Sequence, residues 1–265
     1  MTESAPLKGL VAVVTGGSRG IGRATAWELA RAGAAVFITA TTKKTLEAGL
    51  QSLAAEGATD VRGTLTDVTV GDDVEQLFDE VLDMFGRCDV LVNNAGVGGG
   101  GATRESTFDG WASILDVNLH GVFRTTHACL RRSGMLERGD GRIVSIASTG
   151  GKQGVRFAAA YTASKHGVVG LTKSLGLELA GTGVTVNAVC PGFVETELSV
   201  AARQRYAAIY GKTPDEVLAM HNARIPIGRH IDPPEVARMV AFLAAPAAAG
   251  MTAQAINVCG GLGNY

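Results

Sequence analysis

Apolar positions along the 265-residue chain fall into two alternating patterns. Short runs rich in β-branched residues occur at Val11–Thr15, Ala35–Thr39, Val61–Leu65, Val90–Asn93, Arg142–Ser145, Thr185–Val189 and Ala255–Val258. Between them, apolar residues recur at helical spacing over Ile21–Ala32, Lys43–Ala55, Val74–Phe85, Phe108–Arg132, Ala158–Ala180 and Pro234–Leu243. Runs such as Val90-Leu91-Val92 and Ile143-Val144 have no polar alternation, so both faces are buried, as in a parallel sheet covered by helices on each side. The pattern predicts a single-domain α/β fold, a doubly wound sheet of seven parallel strands joined by right-handed crossovers. The spacing breaks once, at residues 195–230, a stretch too long for a simple crossover and anchored by Tyr206, Tyr210, Met220 and Ile225. It reads as a lid inserted over a substrate cleft, with a pair of extra surface helices as the alternative, because loops at the carboxyl ends of strands build binding sites in such folds.

Composition narrows the class. Lys and Arg number 24 against 25 Asp and Glu, so the net charge of -1 argues against nucleic acid or an anionic membrane as the main partner. A hydrophobic content of 46% excludes a disordered chain. No apolar run reaches the ~18 residues of a membrane span. The first eight residues lack the basic and apolar regions of a secretory signal, so a cytoplasmic location is expected. Cys88, Cys129, Cys190 and Cys259 are dispersed, and His120, His127, His166, His221 and His230 show no ligand pairing with carboxylates, so no metal is expected. Glycine is the outlier. There are 36, about double the usual ~7%, without the three-residue period or proline content of collagen.

Part of that glycine sits in Thr15-Gly16-Gly17-Ser18-Arg19-Gly20-Ile21-Gly22, which follows the first strand and opens a helix. Gly16 permits the turn off the strand, Gly20 lets the backbone approach a pyrophosphate, and Gly22 lets helix pack on strand. The helix N-terminus offers unpaired N–H groups to phosphate. Thr15, Gly16, Ser18, Arg19, Gly20 and Ile21 are therefore candidate dinucleotide contacts, with an ordinary glycine-rich turn as the alternative. A literal G-x-G-x-x-G at Gly96, Gly98 and Gly101 is a decoy, since it does not lead into a helix. The second strand ends in Thr39-Ala40-Thr41-Thr42-Lys43-Lys44, without the acid that holds the ribose hydroxyls of NAD. Arg19 beside Thr41 suits a 2′-phosphate, so NADP(H) is expected. Asp67-Val68 after the third strand is placed near the adenine amino group, unless Asp67 is a plain helix cap. Asn94, Ala95 and Gly96 after the fourth strand form a wall of the adenosine site.

Tyr161 and Lys165 lie at i and i+4 on one helix face. A tyrosine loses its proton near pH ~10, and an adjacent ammonium with an oxidised nicotinamide lowers that value. Tyr161 then serves as general acid toward a ketone oxygen that Ser148 also holds. Solvated Tyr–Lys pairs share this spacing, and the position after the fifth strand beside Ser148 favours the chemical reading. Asn118, a poor helix former inside a long helical stretch, points to a water or backbone role.

With the Thr15–Gly22 loop, Asn93-Asn94-Ala95-Gly96, Asn118, Ser148, the Tyr161/Lys165 pair and Pro191-Gly192, the chain resembles a short-chain dehydrogenase/reductase throughout, a family of Rossmann-type oxidoreductases. The resemblance implies a tetrad of Asn118, Ser148, Tyr161 and Lys165. In it Lys165 also binds the nicotinamide ribose and Asn118 holds a water of a proton relay. It further implies that Pro191, Gly192, Val194 and Thr196 flank the carboxamide. Residues 134–139, 148–155, 190–196 and the tail 257–265 resemble more narrowly the actinorhodin-type ketoreductases of aromatic polyketide synthases. That likeness implies a homotetramer reducing, with NADPH, one ketone of a carrier-protein-bound poly-β-ketone in antibiotic biosynthesis. The chain departs from the group at Val97-Gly98, where Arg-Pro is typical, and at Thr41, where Arg is usual. Gly98, Gly99 and Gly100 offer a wall without side-chain bulk, with Thr149, Gln153 and Val155 opposite, for a long, flat substrate. A flexible loop is the alternative. Arg131, Arg132 and Arg138 either meet an acidic carrier or form a solvated face. The competing activities are a 3-oxoacyl-acyl-carrier-protein reductase of fatty acid synthesis and a reductase of free small ketones. A catalytically silent NADP sensor would have lost Tyr161 or Lys165.

Overall fold

In the computed structural model, which describes residues 5–265, the apolar runs pair into one sheet. Its strands are β1 (Val11–Val14), β2 (Ala35–Ala40), β3 (Val61–Leu65), β4 (Val90–Asn93), β5 (Gly141–Ile146), β6 (Val184–Pro191) and β7 (Ala255–Val258). All pairings are parallel, in the order β3-β2-β1-β4-β5-β6-β7. The register sets Val13 beside Leu91, Leu91 beside Ile143 and Ile143 beside Val186. The doubly wound sheet is as the sequence predicts.

Alternate residues of β1 feed the two cores. Ala12 and Val14 pack under α1 (Gly20–Arg31), α2 (Lys43–Ala55) and α10 (Pro233–Ala244). Val11 and Val13 pack under α3 (Gly71–Phe85), α5 (Gly121–Arg132) and the end of α7 (Ala159–Glu178). This two-faced burial is why the strands carry no polar alternation. A short α6 (Met135–Arg138) buries Met135 against the second core.

The predicted helix Phe108–Arg132 is not continuous. α4 (Phe108–Leu115) passes through a π turn at Asp116–His120 before α5 begins, and the Gly121 N–H donates to Asp116 O, five residues back. Such π turns concentrate at functional sites, and this one holds Asn118. The 195–230 stretch forms α8 (Glu197–Tyr210) and α9 (Pro214–Arg224). α9 starts with a capping box between Thr213 and Glu216 and with Pro214 in its first turn.

Arg131, Arg132 and Arg138 are tied within the chain. Arg131 and Arg132 pair with Glu75, and Arg138 pairs with the buried Asp89, which also accepts from the Val11 N–H. They brace helices α3 and α5 and the start of β1. Among the described residues no helix is long and apolar enough to cross a membrane, and no group of three potential metal ligands occurs.

At the end of β4, the buried Asn93 amide donates to Thr126 Oγ1 at 2.9 Å, while its oxygen accepts from Thr125 Oγ1 at 2.6 Å. Asn93→Leu keeps the volume and strands the buried Thr126 hydroxyl, a loss of about 1–3 kcal/mol, while Thr125 keeps Gly121 O at 2.9 Å. Urea denaturation should show a lower midpoint; an unchanged midpoint would mean that this network adds nothing to stability.

Candidate active site

The sheet reverses its winding between β1 and β4, and the crevice above their carboxyl ends is where ligands bind in open α/β sheets. Two loops meet there. Gly16 and Gly20 adopt φ of +61° and +53°, which turn the chain off β1 and into α1. A Cβ on Gly22 would lie 2.3 Å from Gly16 O, so α1 can run this close to the turn only with glycine there. The Asn94 amide donates to Thr15 O and Gly16 O at 2.9 Å each, and Thr15 Oγ1 accepts from the Asn94 and Ala95 N–H groups at 3.0 Å. Thr15 is thus a buried brace beneath the cleft and not a lining residue, a correction to its predicted contact with cofactor.

The cleft above has a volume of roughly 770 Å³. Gly16, Ser18, Arg19, Gly20, Ile21, Thr41, Asp67, Val68, Asn94, Ala95, Gly96, Pro191, Gly192, Val194 and Thr196 line it continuously with Ser148, Tyr161 and Lys165. The fit to a dinucleotide rests on the donor chemistry. α1 starts without a side-chain cap, leaving its first N–H groups open to an anion, and the buried Thr66 hydroxyl in the lining has no partner among the described residues. No carboxylate stands at the end of β2, and Arg19 pairs only with Glu197, at 2.6 Å between two largely exposed side chains. Such a pair is weak, so Arg19 can turn to a phosphate at little cost. Asp67 is not a helix cap. Val70 holds that place at α3, and Asp67 Oδ1 instead accepts from Thr69 N and Oγ1 in a tight turn.

Ser148 ends the connection from β5, while Tyr161 and Lys165 stand one turn apart on α7. Their separation is set by backbone: a Cβ on Gly151 would lie 2.5 Å from Lys165 O. Burial holds the Tyr161 phenol above its usual range, a shift that a hydrogen bond with Ser148 only partly offsets, so in the ligand-free fold the direction is opposite to the lowering the sequence predicts. Burial also pulls the Lys165 ammonium down to about 8. Its Nζ donates to Ile146 O at 2.8 Å and lies 5.9 Å from the Tyr161 ring centre.

Asn118 is fully buried and does not line the cleft. Its Oδ1 accepts from the Val97 N–H at 2.8 Å, and its Nδ2 donates to Val97 O at 3.0 Å and to Ser164 Oγ at 3.2 Å. Ser164 Oγ in turn donates to Tyr161 O. The side chain therefore does the backbone work that its poor helix propensity suggested, clamping the β4 strap to the helix of Tyr161. Both amide atoms already have protein partners, which argues against a side-chain-held water.

The strap Gly96–Gly99 forms one wall of the cleft, facing Thr149, Gln153 and Val155. Gly98 touches Leu198 of α8, and Gly99 lies against Ile114 of α4. Gly100 turns away from the cleft: its backbone abuts Phe157 O, which accepts from the Gly101 N–H at 2.8 Å. The predicted substrate contact at Gly100 is thereby corrected. Sequence reasoning missed Leu198, Arg205, His221 and Arg224 of the lid pair, and Leu262 of the tail. The only signal for the lid residues was the apolar anchoring of residues 195–230, and Leu262 lies in the tail 257–265. His166 faces solvent with Nδ1 against Thr162 O.

A family model described as enoyl-(acyl carrier protein) reductase matches residues 16–263. The chain belongs to the short-chain dehydrogenase/reductase family. It is similar to a protein named "Putative ketoacyl reductase" from Streptomyces coelicolor, 53% identical over 255 residues that cover 96% of this chain and 97% of the relative. A 3-oxoacyl-(acyl-carrier-protein) reductase from Vibrio cholerae is 40% identical over 256 residues, 97% of this chain and 98% of the relative. Among solved structures, an actinorhodin polyketide ketoreductase variant with NADPH superimposes with a TM-score of 0.94. It is 52% identical and covers 97% of this chain, with 98% of its own length matched.

In this dehydrogenase/reductase the buried lysine opposes stability. Lys165 is protonated in the unfolded chain up to its ordinary 10.5 but only to about 8 in the fold, so its penalty is absent above 10.5, grows as pH falls and is complete below about 8. Lys165→Met should therefore melt several degrees higher than wild type at pH 7, with the gap closing between pH 8 and 10. A gap that is absent, or unchanged across that range, would contradict the burial argument.

Proposed function

We propose that the protein is an NADPH-dependent ketoreductase that converts one ketone of a carrier-protein-bound poly-β-ketone to a secondary alcohol. One observation carries the reading. Ser148, Tyr161 and Lys165 converge on a long cleft between the glycine strap and the α8–α9 lid, in a chain about half identical to a polyketide ketoreductase. When bound, NADPH supplies a hydride to the ketone carbon. The chain does the rest. Tyr161 gives its proton to the ketone oxygen, Ser148 holds that oxygen, and the nearby Lys165 ammonium binds the ribose and favours phenolate. Asn118 keeps Tyr161 in register with the strap.

Gly16, Ser18, Gly20 and Ile21 hold the diphosphate, Arg19 and Thr41 the 2′-phosphate, and Asp67, Val68, Asn94, Ala95 and Gly96 the adenosine. Pro191, Gly192, Val194 and Thr196 flank the carboxamide, while Gly98, Gly99, Thr149, Gln153 and Val155 line the substrate groove. α8 and α9 act as the lid. Phe108, Trp111, Phe123 and Leu177 are exposed apolar side chains, which supports burial between copies in a homotetramer. The Vibrio cholerae relative supports the second reading, a 3-oxoacyl-acyl-carrier-protein reductase, at lower identity.

Tyr161→Phe should lower kcat/KM for a bicyclic ketone by about 10²–10⁴-fold while NADPH still binds; full activity in this variant would overturn the assigned acid. Arg19→Ala should weaken NADPH binding by about tenfold and leave NADH unchanged, as read by fluorescence titration. Wild-type turnover that favours a short acetoacetyl thioester over bicyclic ketones would select the second reading. Reconstitution with a minimal polyketide synthase then maps the reduced carbon.

A further inference from the structure

α9 is joined to the rest of the fold almost wholly by packing. Among the described residues, no side-chain hydrogen bond or ion pair links Pro214–Arg224 to the sheet or to the segment after β6. Two of its residues are buried, Val217 and His221. The His221 ring stacks on Phe193 with centres 4.0 Å apart and planes 13° from parallel. Phe193 belongs to the segment proposed to flank the nicotinamide, and that segment is fixed by the Ile231 N–H on Phe193 O at 2.8 Å. His230 stacks near the same ring at 5.4 Å. Its Nδ1 meets Glu195 Oε2 at 3.0 Å, and Arg203 of α8 grips Glu195 through two bonds of 2.7 Å. Edge-on to His221 stands Tyr206, whose hydroxyl donates to Arg156 O across the cleft. The rings thus form a bridge from the far wall, through both lid helices, to Phe193.

His221 is an odd choice for a purely structural block. Its Nδ1 is buried without a partner among the described residues, and such an unpaired group costs stability that a hydrocarbon ring would not. The groups that pull on it are all basic: His230, itself held below the ordinary histidine range by burial, Arg224 on its own helix and Arg203 on α8. His230 has Glu195 to balance it; His221 has no acid. We propose that His221 is a positioning residue whose stack on Phe193 sets how tightly α8 and α9 close on the ketone substrate. The proposal rests on the ketoreductase reading and adds to it the seat of the lid.

Burial and the neighbouring cations pull the His221 imidazole down to about 4, so the ring is neutral in the folded protein above that pH. The unfolded chain protonates it below its ordinary 6.5. The stability that the neutral ring lends is therefore complete above 6.5 and falls progressively as pH drops toward 4, while the ring in the folded protein stays neutral and stacked over that range.

The test pairs His221→Ala with His221→Phe in the full-length protein. His221→Ala should raise KM for a bicyclic ketone by about tenfold with kcat held within about threefold, the signature of lost uniform binding. It should also speed hydrogen exchange of the α9 amides in the ligand-free protein at pH 7. His221→Phe should rescue both readouts and melt a few degrees higher than wild type, with the gap widening as pH falls from 6.5 toward 4. Unchanged KM and α9 exchange in His221→Ala, or a His221→Phe variant as loose as His221→Ala, would overturn the proposal. If wild type reduces no ketone, the functional reading fails, and the exchange experiment still decides whether the ring seats the lid.

Discussion

The site depends on a stitch between two loops that a parallel sheet would otherwise leave apart. Where the winding reverses between β1 and β4, the Asn94 amide bonds two carbonyls of the glycine turn, and Thr15 returns the favour to two N–H groups beyond β4. These four bonds lie partly buried at the base of the cleft, so parting the floor means breaking all four together. The glycine turn, the strap through Gly99 and the Asn118 clamp all take their positions from it. Asn118 continues the stitch sideways, from the strap to Ser164 and on to the backbone of Tyr161. Cofactor floor and proton donor are therefore one hydrogen-bonded unit.

Chemistry and stability pull in opposite directions within this unit. A lysine buried against a carbonyl and an aromatic ring, with no carboxylate beside it, is a poor way to build a core. It is a good way to place a cation beside a phenol. The π turn shows the same compromise, since it breaks the regular i→i−4 ladder in order to aim one amide at the strap. Deviations of this kind from the favoured packing and helix geometry mark the site more sharply than the size of the cleft does.

Features written within a few consecutive residues were readable in the sequence: the glycine turn, the Tyr161/Lys165 spacing, the acid-free end of β2 and the strand pattern. Each follows from local backbone or helix geometry. Thr15 and Gly100 were misjudged because their roles depend on residues far along the chain. Gly100 is claimed by Phe157, and Thr15 faces Asn94 and Ala95 rather than the cleft. Asn118 could be flagged by its poor helix propensity, but the atom it would hold could not be named. The lid contacts of Leu198, Arg205, His221 and Arg224 had no motif behind them, because a helix pair packed by rings and aliphatic groups leaves no fixed spacing.

The closeness of Gly151 to the carbonyl of Lys165 has a consequence for how this site can change over time. The distance from the Ser148 turn to the Tyr161 helix is limited by main chain against main chain, with no side chain between to shrink or grow. Core residues elsewhere can be exchanged without altering that spacing, and groove or lid residues can be varied to suit new ketones. The reacting groups are thus insulated from drift in the rest of the sequence, and the same spacing confines innovation to the walls of the cleft.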